Sequence, residues 1–129
     1  MTLNEFEQRW LMAFAEGIPK KQLEKYVTSR SNHIWHIFSW KLLPEGSFLT
    51  GDDAREAYNC LSHRERETAL FIEPFENKHP ETFSMEWQKS SAYHLDGRIE
   101  IFVMAEDFSW TYIKTHENDW CGPYFYRKK

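Results

Sequence analysis

The sequence predicts an α+β domain, with N-terminal helices packed on a mainly antiparallel β-sheet. Three observations predict it. Apolar residues at helical spacing gather early in the chain, and strand-like runs gather late. The stretch HLDGRIEIFVMAEDFSWTYIKTHE, residues 94–117, reads as two strands joined by a short turn. No internal repeat, low-complexity stretch or linker divides the 129 residues, so one domain is expected over residues 1–129. A chain of this size buries roughly two-thirds of its unfolded surface and needs no covalent staple.

Residues 2–16 give the clearest helix. Thr2 and Glu5 have the spacing of a capping box. Leu3, Phe6, Trp10, Ala13 and Phe14 form one apolar stripe. Gly17 is placed to end the helix, and Pro19 to open a short second one over residues 20–26. The run HIWHIFSWKLL, residues 33–43, is dense in Ile, Trp and Phe and reads as a strand, with helix the competing reading. Thr50-Gly51-Asp52-Asp53 starts a helix with acidic residues at the positive end of its dipole, and Ala54, Ala57, Tyr58 and Leu61 are its buried stripe. SHRERE, residues 62–67, reads as a solvated charge run, and TALFIE, residues 68–73, as a strand ended by Pro74. Phe83, Met85 and Trp87 alternate with polar residues, which points to a strand or an irregular edge; a short helix opened by Pro80 is the counter-reading.

The hairpin follows the turn signal Asp96-Gly97. Ile99, Ile101 and Val103 face one way, and Phe102 and Met104 the other. With apolar residues on both faces, this strand belongs inside the sheet. A tight turn pairs Met104 with Ser109, Val103 with Trp110 and Ile101 with Tyr112. Glu106-Asp107 is not a preferred two-residue turn, however. Tyr124-Phe125-Tyr126 forms a last short strand at the edge.

Composition bounds the function. The formal net charge of −4 argues against a nucleic-acid partner, despite basic residues between positions 19 and 41. Cys60 and Cys121 form no C-x-x-C pair and read as buried or half-buried thiols in a reducing cytosol. No apolar run is long enough to span a membrane, and MTLNEFEQRW lacks the features of a signal peptide. A cytoplasmic protein without a cofactor is expected. The nucleotide-binding, hydrolase, zinc-protease and calcium-loop signatures are absent from the sequence.

Three features carry candidate chemistry. His33-x-x-His36 would share a face on a helix but not on a strand, so the strand reading disfavours a metal there. Lys114-Thr115-His116-Glu117, with Asp119 nearby, puts a histidine beside carboxylates at a strand end, the setting of a general base. The candidate catalytic residues are therefore His116, Glu117 and His36; the bland alternative is ordinary strand-end solvation and structural histidines. The third feature is the aromatic surplus, 17% of residues. Trp120 and Tyr124 flank turns and are expected at the surface, and with Trp110 they are the candidate binding residues.

HIWHIFSWKLLP, GDDAREAYNCL, DFSWTYIKTHE and CGPYF together resemble a small family of bacterial proteins known only as a domain of unknown function. The resemblance runs from about Trp35 onward. It implies a bacterial cytosolic protein and supplies no catalytic residues. The expected function is a binding or interaction module of toxin-neutralising or adaptor type, with a protein partner or a small apolar ligand. The alternative is a small enzyme or ligand-binding protein using a His/Glu site in an aromatic-walled pocket.

Overall fold

The computed structural model describes residues 1–28, 33–117 and 122–128. Helix α1 (Leu3–Phe14) starts at Thr2, whose hydroxyl accepts the Glu5 amide at 3.3 Å, and ends at Ala15, two residues before Gly17. Pro19 precedes α2 (Lys20–Leu23), which continues as a π-helical turn over Glu24–Thr28. Then come α3 (His36–Ser39), β1 (Leu49–Thr50), α4 (Gly51–Asn59), α5 (His63–Glu67) and β2 (Leu70–Ile72). A 3-10 turn (Trp87–Lys89) and α6 (Ala92–Leu95) lead into β3 (Ile101–Met104), β4 (Trp110–Lys114) and β5 (Tyr124–Arg127). No helix of the described residues is long and apolar enough to cross a membrane.

The sheet is antiparallel throughout, in the order β1-β5-β4-β3-β2. Every residue of β3 and β4 is buried. The reason is that both faces are covered. Phe6, Trp10 and Phe14 of α1, with Ile37 and Phe38 of α3, pack with Phe102, Met104 and Ile113. Ala54 and Tyr58 of α4, with Ala92 and Leu95 of α6, pack with Ile101, Val103, Trp110 and Tyr112 on the other side. The helices are therefore divided between the two faces, not gathered on one.

Three local expectations are corrected, at residues 33–43, at SHRERE and at Cys60, and the irregular edge expected near Phe83 is found. Residues 33–43 hold a helical turn, not a strand. Ile34/Ile37 and Trp35/Phe38 are buried pairs three apart, and His33, His36 and Ser39 form the half-exposed stripe at the same spacing. That is the period of a tight helical turn. SHRERE is also helical: Ser62 and Glu65 make a capping box, and Arg66 is buried between Tyr58 and Trp87. Phe83 makes a single bridge to Phe71, so residues 83–87 are an irregular edge over β2 that ends in the 3-10 turn. Cys60 is exposed, and Cys121 lies outside the described residues.

The hairpin register is shifted by two residues from the expected one. Met104 pairs with Thr111, Val103 with Tyr112 and Ile101 with Lys114. The Ala105 amide donates to the Trp110 carbonyl at 3.1 Å, leaving a loop of residues 106–109. Phe108 turns in that loop at φ 58° and buries its ring against α1. A shift of two keeps every side chain on its face, whereas a shift of one would have inverted the core. β5 was expected at the edge but lies between β1 and β4.

Candidate functional site

The tight turn before α3 closes with i→i+3 bonds, His36 N–H to His33 O at 3.1 Å and Phe38 N–H to Trp35 O at 3.0 Å. Side chains three apart then eclipse. The His33 and His36 rings accordingly lie side by side, with centroids 5.6 Å apart, while Trp35 turns inward and is fully buried. His116 follows β4, and its ring lies 5.0 Å from that of His33. Three imidazoles thus meet where α3 abuts the end of the hairpin. Phe75 closes the far side, 5.5 Å from His116 and 6.3 Å from His33.

Glu100 anchors this group. It precedes β3 and is only 2% exposed. Its Oε1 accepts Trp35 Nε1–H at 2.9 Å and the His116 backbone N–H at 3.2 Å, and lies 2.8 Å from His116 Nδ1. An oxygen that already takes two N–H groups acts as acceptor toward the ring as well, so Nδ1 carries the proton. In the neutral imidazole Nε2 is then the basic nitrogen, in a side chain 32% exposed, with Glu117 Oε2 at 3.8 Å. Glu100 thus orients the His116 ring through Nδ1, an arrangement that a general base could use.

Charges shape the rest. His36 donates to or accepts from Ser39 Oγ at 2.7 Å. Burial, then the neighbouring His33, pushes its imidazole below the ordinary range, while Glu117 pulls the other way. Beside the histidines is a cleft of about 220 Å³, lined by Leu3, Glu7, His33, Ile34, Pro74, Phe75, Glu100 and Phe102. Burial, then the Glu100 charge, raises the Glu7 carboxyl above the usual carboxylate range.

Of the residues expected from sequence, His116, Glu117 and His36 fall in one neighbourhood. Tyr124, expected at the surface, is 5% exposed and stacked on Phe38. Trp110 is 1% exposed in the core on the opposite face of the sheet, so the two do not form a patch. Trp120 and Asp119 lie outside the described residues. Glu106 and Asp107 line a separate cleft of about 250 Å³. Among the described residues, no group of three or more His, Cys, Asp and Glu is arranged to hold a metal ion.

Sequence reasoning missed Glu7 and Glu100. Glu7 looks like any polar residue of an amphipathic helix. Glu100 was hidden by the register: the tight-turn pairing sets it opposite Ile113, two residues short of the histidine end. Its signal was a carboxylate opening a strand otherwise apolar on both faces.

No curated protein and no solved structure matches the chain. A family model matches residues 3–125, nearly its whole length, and the chain therefore belongs to the family described as a domain of unknown function, DUF4275.

Proposed function

We propose that this chain binds a small ligand in the cleft between α1, His33–Ile34 and Pro74–Phe75, with His33 in its wall and the Glu100-held His116 beside it as the proton-exchanging groups. One observation carries the reading: the 2%-exposed Glu100 both lines the cleft and holds the His116 ring. Burying a carboxylate costs several kcal/mol, roughly, before its partners offset it, and an apolar residue would serve a purely structural floor better. A cleft with aromatic walls, polar groups converging in it and a carboxyl, Glu7, raised by burial is the usual mark of a ligand site. The large exposed apolar residues give less support to a protein-docking surface. Met12, Leu49 and Tyr93 sit on α1, β1 and α6, Trp40 follows α3, Ile99 precedes β3, and Phe75 already borders the histidines.

The test is NMR of the histidine rings while a collection of small amines, acids and neutral compounds is added. At least one class should shift His33 and His116 together. Glu100→Gln, folded by circular dichroism, should lose that response. A collection that leaves both rings unmoved, or a Glu100→Gln variant that responds like the wild type, rejects the site.

A further inference from the structure

We infer that the ligand of this cleft is an organic cation, an amine on a small apolar or aromatic body, and that Glu7 selects it. The inference rests on the ligand-binding reading above. Two carboxylates, Glu7 and Glu100, line the cavity, and no Lys or Arg does among the described residues. Glu100 is fully engaged at Oε1 by the indole and by His116. Glu7 is half-buried, and among the described residues its carboxyl has neither a hydrogen bond nor an ion pair. Lys78 lines the adjoining cleft, which shares Leu3 and Glu7, yet forms no salt bridge with Glu7. A carboxylate in a cavity beside a second, buried one, with no Lys or Arg against it among the described residues, favours a positively charged ligand.

The walls agree in sign. Phe75 and Phe102 line the cavity, and aromatic rings attract cations. Phe75 is 49% exposed, so its ring is available at the mouth. An anionic ligand would meet Glu7 and Glu100, with the His33 and His116 imidazoles the groups to offset them among the described residues. Burial first, and then the Glu100 charge, disfavours the ionised Glu7 carboxyl. A cation would favour that form, so binding should release a proton from Glu7 wherever that group is still partly protonated. A volume near 220 Å³ limits the body to about the size of a single ring with a short arm.

The experiment uses three probes of one shape on the whole chain: benzylamine, benzyl alcohol and benzoate, followed by calorimetry and by the His33 and His116 ring resonances. Benzylamine should bind about tenfold tighter than benzyl alcohol, and benzoate weakest. Glu7→Gln, which loses no partner, should erase most of the preference for benzylamine over benzyl alcohol. Equal binding of all three probes, tighter benzoate, or an amine preference that survives Glu7→Gln overturns the cation assignment but leaves a ligand site. Failure of every probe, together with a silent compound collection, overturns both readings.

Discussion

Glu100 is where the fold and the candidate site depend on the same atom. Trp35 is fully buried, so its indole N–H has no route to water if Glu100 Oε1 is lost. The His116 side chain is 32% exposed, so its Nδ1 can find solvent after a small rotation. Glu100→Gln keeps an acceptor oxygen of the same shape but loses the charge. Hydrogen bonds to charged groups contribute about 1.5–3 kcal/mol against about 0.5–1.5 for neutral ones, so the variant should lose roughly 1–2 kcal/mol. Glu100→Ala leaves the indole unsatisfied and opens a void, and should lose roughly 3–5 kcal/mol. Urea unfolding at neutral pH measures both. Removing donor and acceptor together, as Glu100→Met with Trp35→Phe, should recover about 1–3 kcal/mol relative to the sum of the single changes. The same double variant should still lose the histidine response to ligand, since nothing then holds the His116 ring. A Glu100→Ala protein within about 1 kcal/mol of wild type, or Gln as costly as Ala, refutes the claim that this oxygen joins the three groups.

Three further changes probe the frame around the site. Trp10 Nε1 donates to Thr111 Oγ1 at 2.9 Å, and that hydroxyl donates to Val103 O at 2.8 Å, all inside the core; Thr111→Val should cost about 1–3 kcal/mol in urea unfolding, and much less in a Trp10→Phe background. Arg66 is 4% exposed, lies over Tyr58 and Trp87, makes one long bond to Asn59 at 3.4 Å and has an unpartnered Nε; Arg66→Met should stay within about 1 kcal/mol while Arg66→Ala loses about 2–4, and equal losses would show that its charge, not its packing, matters. Burial and the His33 charge hold the His36 imidazole below its unfolded value, so the unfolded chain takes up that proton first on acidification. This contribution is complete above about pH 6.5 and is lost as pH falls through that value, levelling off below the folded pKa. His36→Gln should flatten that part of the stability–pH curve, and parallel curves for variant and wild type would contradict it.

What the sequence discloses of the fold, it discloses through faces. Phe6, Trp10 and Phe14 are legible as a helical stripe, and Ile101/Val103 against Phe102/Met104 as the two sides of one strand; both assignments are found in the structure. Side-chain direction follows from local period alone, and a register shift of two leaves it untouched. Pairing across strands does not. It was set by the loop at residues 106–109, where Phe108 takes a left-handed conformation that nothing in the letters Glu106-Asp107-Phe108 announces. The run at 33–43 failed for a related reason. Its spacing of three is legible afterward, but Ile, Trp and Phe carry strand propensity, and burial on several sides overrode it.

The site suffered from both errors at once. A strand at residues 33–43 throws His33 and His36 to opposite faces; the helical turn sets their rings 5.6 Å apart. The tight-turn register leaves Glu100 two residues away from the histidine end; the true register sets its oxygen 2.8 Å from His116 Nδ1. Each residue type was visible, and only the distances were missing. Proton chemistry depends on those distances, since a carboxylate tunes and orients an imidazole only within hydrogen-bond reach. The one anomaly that sequence did expose was Glu100 itself, a charge opening a strand with no other polar position until it ends. Because both faces of β3 are covered, that carboxylate had to find donors inside the fold. Its donors are a buried indole and the histidine that follows the neighbouring strand, which is how a single out-of-place glutamate ties the cleft to the histidines.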